Sequence, residues 1–316
     1  MDSRVFSIGE SLIDFVPAGT GALSFTAKAG GAPSNVSACV SKLGGKGYYL
    51  GKLGTDVFSR FLLATMQKYG VNTDYTIIDA RYQTALAFVT LNERGDREFN
   101  FYRKESCDLM LDSTEIPADL FTPNDILHFC SVGLVESPSK YAHKRALELA
   151  DQNGAMISFD VNVRENLWDN VDNCVKTIWE FLPYPDVIKV TDDEVRLITK
   201  MDNEKEAVAK MFETAKKCKI MLVTRGPEGV IVYDRELNSF YREAVDVPVV
   251  DTTGAGDCFI GSLLYLISKG EAKLTLEGIR EGVDFASYGC GIVIGSKGAI
   301  ESMPTQEDIA DLKTRY

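Results

Sequence analysis

The chain has 316 residues, 45% of them hydrophobic and 25% charged, and its 46 acidic and 34 basic residues leave a net charge of −12. Those values suit one large or two small globular domains. The acidic balance argues against an electrostatic grip on nucleic acid or acidic lipid. It leaves a small anionic ligand open, because backbone amides and a bound metal act locally.

No apolar signal follows Met1-Asp2-Ser3-Arg4, and no apolar run reaches membrane-spanning length, so no membrane association is expected. Seven cysteines are scattered without a Cys-x-x-Cys pair, which points to reduced thiols in a cytoplasmic protein. The two histidines, His128 and His143, form no zinc-type cluster.

In chain order, Arg4 to Gly9 reads as a short strand ending in Gly9-Glu10, and a weakly patterned Gly-rich segment runs to Gly31. Pro33 to Leu43 reads as a helix stopped by Gly44-Gly45. A strand follows over Tyr48–Leu53, then an amphipathic helix from Thr55 to Tyr69. Residues 84–91 and 97–103 form two strands of a hairpin around Asn92-Glu93-Arg94-Gly95-Asp96. From about residue 120 strands alternate with helices: strands at Ile126–Cys130, Ala155–Asp160, Val187–Val190 and Ile220–Thr224, helices at Ser139–Gln152, Asp172–Phe181, Asp192–Thr199 and Lys205–Lys217. That alternation predicts a parallel sheet with helices on both faces. Gly229–Tyr233 and Ser239–Val245 add strand material. Val245–Val250 is expected as a strand leading into a small-residue turn, with helices at about 257–269 and 275–294 beyond it.

Asp251-Thr252-Thr253-Gly254-Ala255-Gly256-Asp257 is the most informative stretch. Gly254, Ala255 and Gly256 leave backbone N–H groups uncovered at a helix start, where the positive end of the helix dipole favours an anion. Asp257 beside that spot is either an ordinary first-turn acid or a base that takes a proton from an attacking hydroxyl. A second motif, Ala29-Gly30-Gly31-Ala32-Pro33-Ser34-Asn35, brings two glycines and an amide. It fits a ligand approaching the backbone closely, and equally a loop before a helix with Pro in its first turn.

Together, in this order and at this distance, Gly30-Gly31-Ala32-Pro33-Ser34-Asn35 and Asp251–Asp257 resemble the two signatures of the ribokinase-like (PfkB) carbohydrate kinases. The resemblance spans nearly the whole chain. It implies one α/β domain over residues 1–316, with a doubly wound, mostly parallel sheet flanked by helices. A small β-sheet lid would be formed by excursions at about 12–30 and 82–107. It implies Asp257 as general base and Gly254, Ala255 and Gly256 as the anion hole for the transferred phosphoryl, a kit sufficient for phosphoryl transfer with Mg²⁺. Asp14, Gly30, Gly31 and Asn35 match positions that hold sugar hydroxyls. Thr224-x-Gly226-x-x-Gly229 resembles the motif near the ATP phosphates; read alone it is a turn. Thr191 stands where the family usually has Asn, three residues before Glu194, which would organise Mg²⁺ through water; read alone Thr191 suits a helix cap. A monovalent cation, K⁺, would lie among Asp251, Thr253, Val293, Ser296, Gly298 and Ser302. Lids of this family often pair into homodimers.

Thr84–Val89, Phe99-Asn100-Phe101-Tyr102-Arg103, Cys107–Leu111 and Phe159–Trp168 look like the fructokinase branch. Lys104-Glu105 replace its usual Asn-Pro. Phe101, Arg103 and Arg164 resemble residues reaching the sugar pocket; surface ion pairing is the alternative for the arginines. Because arginines also hold carboxylates, 2-keto-3-deoxygluconate kinase stands as the alternative to fructokinase, and a non-catalytic sugar-binding relative as the rival from another class.

Overall fold

Runs such as Ile126–Cys130, apolar but for His128, carry no continuous polar face, so they suit strands with both faces covered. In the computed structural model, which describes residues 3–18, 24–91 and 97–316, they form the centre of the molecule. The described strands are β1 (Arg4–Ile8), β2 (Leu12–Pro17), β3 (Phe25–Gly30), β4 (Lys46–Leu50), β5 (Lys52–Leu53), β6 (Ile77–Ile78), β7 (Leu86–Leu91), β8 (Arg97–Tyr102), β9 (Ile126–Cys130), β10 (Met156–Asp160), β11 (Val187–Thr191), β12 (Ile220–Thr224), β13 (Val230–Asp234) and β14 (Ser239–Arg242). The helices are α1 (Ala32–Lys42), α2 (Val57–Lys68), α3 (Pro138–Gln152), α4 (Val171–Phe181), α5 (Asp192–Thr199), α6 (Glu204–Thr214), α7 (Ala255–Lys269), α8 (Leu276–Ile294) and α9 (Gln306–Arg315).

Among the described residues, eight strands make the main sheet in the order β14-β13-β12-β11-β10-β9-β1-β4. Pairing is parallel from β4 to β12 and antiparallel at β13 and β14. Alternate strand residues feed two cores. Ile188, Val190, Met221 and Val223 pack with α3 to α6 on one face, where Phe129 and Phe159 stack at 4.4 Å. Val187, Ile220 and Leu222 pack with α1, α7, α8 and α9 on the other. Helix α7 is buried from Cys258 to Leu266, as its unbroken apolar run requires.

The excursions form a separate sheet in the order β3-β2-β7-β8, in which Phe15 and Phe88 stack at 4.6 Å. The hairpin turn expected at 92–96, and 19–23 of the first excursion, lie outside the described residues. All seven cysteines are free thiols, six of them buried. Among the described residues, no helix is long and apolar enough to cross a membrane.

One expectation fails, and one helix was not foreseen. Val245–Val250 is not a strand. Pro248 cannot donate to a ladder, and the Val250 N–H bonds the Ile294 carbonyl at the end of α8 at 2.7 Å. Helix α9 was not anticipated: it buries Ile309 alone, too little for a visible apolar stripe, although Thr305 and Asp308 form a capping box at its start.

Candidate active site

The parallel strands deliver the chemistry-bearing residues to their carboxyl ends, where open α/β sheets bind ligands. Glu10 follows β1, Asp160 ends β10, and Thr191 and Thr224 end β11 and β12. Helices α1 and α7 start at the same edge, and their first turns are tied together by one bond, Asn35 Nδ2 to Asp257 Oδ2 at 2.7 Å. The amide of Asn35 is thereby oriented, and its Oδ1 is buried with no partner among the described residues. A buried acceptor without a donor is rare; here it fits a ligand hydroxyl.

Gly254 caps α7 in the left-handed region at φ 81°, with no side chain closing the helix start. The first intrahelical bond there is Cys258 N–H to Gly254 O at 2.8 Å, so the preceding amides lie ahead of the ladder. Of these, Ala255 makes a long 3.3 Å bond to Thr252 O, which leaves Gly254 and Gly256 better placed to receive an anion. Burial pushes the Asp257 carboxyl up, while the Asn35 bond, Lys189 and Arg164 pull it down.

Asp14 on β2 lies against Gly30 of β3, where any side chain would collide with its carboxylate. Burial pushes the Asp14 carboxyl up to about 7, against the pull of Arg164 and with the help of Asp257 and Asp251. Gly31 caps α1, and its carbonyl accepts the Asn35 N–H at 3.0 Å. Sequence reasoning missed Glu10: its Oε1 accepts the Ala32 N–H at 3.0 Å and fixes the glycine turn, and burial raises its carboxyl to about 7.

The two arginines part company. Arg164 is exposed and bonds the Val163 carbonyl, yet its charge reaches Asp14 and Asp257. Arg103 is not a surface residue. It is 6% exposed, donates to Asp108 at 2.6 Å and to the Val132 carbonyl at 3.0 Å, and keeps Nη2 without a partner. With Phe101, Val135, Leu167 and Trp168 it lines a cavity of about 660 Å³ that Asp14, Asn35 and Asp257 do not line. The charge of Arg103 acts on Glu10, which connects this cavity to the glycine turn.

Thr191 caps α5, and with Glu194 it forms a reciprocal capping box: Thr191 N–H to Glu194 Oε2 at 2.8 Å and Glu194 N–H to Thr191 Oγ1 at 3.2 Å. Glu194 Oε1 accepts the Val163 N–H at 2.7 Å. Each Glu194 oxygen keeps lone-pair capacity, which suits water-mediated contact with a cation. Thr224, Gly226 and Gly229 form the tight connection between antiparallel β12 and β13, with Arg225 N–H bonding Gly229 O at 2.8 Å.

Asp251 Oδ1 accepts both the N–H and the Oγ1 hydroxyl of Thr253, at 2.9 and 2.7 Å, and Oδ2 faces the Gly298 N–H at 3.5 Å. Ser296 N–H bonds Val293 O, and the Ser302 hydroxyl bonds Gly298 O. Asp251, Thr253, Gly298 and Ser302 are thus joined in a loop system around Asp251, which Asp251 N–H to Ile294 O at 3.1 Å ties to the end of α8, where Val293 lies, with Ser296 just beyond it. Among the described residues no three His, Cys, Asp or Glu side chains converge as metal ligands. Burial lowers His128 and His143 to about 3 and about 4, which keeps both neutral.

A pfkB family carbohydrate kinase model matches residues 2–306. The chain belongs to that family. This pfkB kinase is 39% identical over 315 residues to probable fructokinase-5 of Arabidopsis thaliana, covering 98% of this chain and 96% of that protein. Its fold matches a fructokinase with bound ATP from Xylella fastidiosa, with TM-score 0.90, 28% identity and coverage of 100% and 99%. A double mutant of fructokinase from Vibrio cholerae O395, in a fructose-, ADP- and potassium-bound form, matches with TM-score 0.91, 28% identity and coverage of 98% of each chain. The expected architecture, a mostly parallel sheet with helices on both faces and a separate small sheet, is the one found.

Proposed function

We propose that this kinase transfers the γ-phosphoryl of ATP to D-fructose, giving fructose 6-phosphate and ADP. The observation that carries the site assignment is the Asp257–Asn35 bond at the uncapped start of α7. A sugar hydroxyl placed there donates to Asp257 and gives up its proton as its oxygen bonds the γ-phosphorus. The bond from that phosphorus to the bridging oxygen breaks, and ADP leaves. Amides of Gly254, Ala255 and Gly256 receive the charged phosphoryl oxygens. The Asn35 Oδ1 left unpaired accepts from a neighbouring sugar hydroxyl, and Asp14 accepts from others.

ATP fits beside this point, where the exposed side chains of Val249 and Val250 immediately precede Asp251 in the sequence. Glu194 would hold Mg²⁺ through water, and the ion would supply positive charge to the phosphates. K⁺ fits the Asp251 loop system. Thr191 and the Thr224–Gly229 turn border the phosphates. Arg103, Phe101 and Arg164 select the sugar, and the small sheet closes over it to exclude water. One domain over 1–316, pairing of two lids in a homodimer and a cytoplasmic location complete the reading.

The test is ADP release measured over fructose, ribose, glucose, adenosine and 2-keto-3-deoxygluconate, with and without K⁺. Fructose-dependent release is expected. Silence with fructose and turnover of the acid sugar would overturn the substrate assignment.

A further inference from the structure

A lysine inside an apolar parallel strand needs a physical reason. Val187, Ile188 and Val190 are fully buried, and Lys189 between them is 5% exposed. Its Nζ donates to both oxygens of Asp160, at 2.9 and 2.9 Å. Stability alone is a weak reason for such a pair, because apolar residues of similar volume often serve a core as well or better. Its position is the stronger reason. The Lys189 side chain runs from β11 to the start of α7, and a Cβ added to Gly256 would lie 3.1 Å from Nζ. The ammonium is therefore lodged against the anion-hole turn, next to Asp257 in sequence.

We propose that Lys189, tethered by Asp160, is a positioning residue for phosphoryl transfer whose ammonium, seated against Gly256, steadies the negative charge of the Asp257 carboxylate. This rests on the reading of Asp257 as the base. The groups facing Asp257 are Asn35 from α1, Asp14 from β2, Arg164 and Asp160 at the end of β10, Lys189 from β11, and the thiols of Cys130 and Cys290. The cations among them are Lys189 and Arg164. Arg164 is exposed, so water and salt screen it, whereas the buried ammonium acts through a medium of low polarity. The tether matters as much as the charge. An ammonium free to swing would bond Asp257 directly and compete with the sugar hydroxyl. With two of its three N–H groups held by Asp160, Lys189 supplies its field from a fixed place.

Lys189→Met removes the charge and keeps most of the volume. Its kcat should fall about tenfold at pH 7, and the acid limb of kcat/KM for fructose should move up by about one pH unit. KM for fructose should change less than kcat. Asp160→Asn keeps the ammonium and weakens its neutralisation, so its acid limb should move down. Lys189→Arg should restore most of the rate and return the limb toward its original position. Where Lys189→Met does not fold, the neutral pair Lys189→Met/Asp160→Asn takes its place, with a smaller upward movement expected because the Asp160 charge that opposes Lys189 is lost as well. An acid limb unmoved in both single variants, with kcat lowered only in step with folded fraction, would overturn the proposal. Failure of the underlying reading looks different: the unmodified protein would release no ADP with fructose, or Asp257→Asn would leave the rate unchanged.

Discussion

Helices α5 and α7 both start at the carboxyl edge of the main sheet, and their first turns are built in opposite ways. The start of α5 is filled by its own side chains: Thr191 and Glu194 exchange bonds with each other's backbone, and Asp192 and Asp193 add negative charge. The start of α7 is left open by Gly254, and its first-turn acid, Asp257, turns toward Asn35 of another helix. The same dipole and the same unpaired amides are thus spent on stability in one place and kept for a ligand in the other. A helix start that the chain does not fill is where chemistry is to be sought.

Substitutions that close the open start or open the closed one probe this contrast. The largest effect belongs to Asp257→Asn, which should lower kcat at least ~10²-fold in ADP-release assays with the fold intact by circular dichroism. In the unmodified enzyme, activity should fall as pH drops through the Asp257 titration. Burial raises that carboxyl, so the loss should begin at a higher pH than for an ordinary aspartate. Gly254→Ala comes next, because a Cβ at φ 81° costs about 1–2 kcal/mol. Its thermal midpoint should drop and its kcat fall as the amides shift. Thr191→Ala should cost about 1 kcal/mol of stability through the lost cap, with kcat within a few-fold of the original. A larger loss of kcat without a change in stability would mean that the Thr191 hydroxyl serves the bordering phosphates directly rather than through the cap, and would weaken the contrast. The smallest effect is on pH dependence of binding. Burial pushes Asp14 up to about 7, and its ionised form is acceptor-only with both oxygens open to sugar hydroxyls, whereas the protonated form gives one oxygen over to donating. KM for fructose should fall as pH rises through that value, and Asp14→Asn should flatten the trend.

The open start was legible in the sequence because glycine is the residue that leaves amides bare, and Gly254-Ala255-Gly256 says so directly. The sheet was legible for a similar reason: runs such as Ile126–Cys130 suit little else. The capped start was half legible, since Thr191 signals a cap while the return bond from Glu194 depends on where β11 ends. Glu10 and Lys189 were harder to find. Each is one charged residue beside or inside an apolar strand, and its meaning lies in a partner far along the chain, Ala32 for one and Gly256 for the other. A charge inside a continuous apolar run was the available signal. Val245–Val250 misled because valine favours strands wherever packing allows, and here α8 took the backbone bond instead.

The seven free cysteines have a consequence for handling the molecule. Burial holds the Cys130, Cys174 and Cys218 thiols protonated far beyond neutral pH, so in the closed structure they are poor nucleophiles out of reach of reagents. A thiol label meets them only when helices lift from the sheet. The rate of label uptake is therefore a clock for breathing of the core, and it can be read with no tag added to the protein.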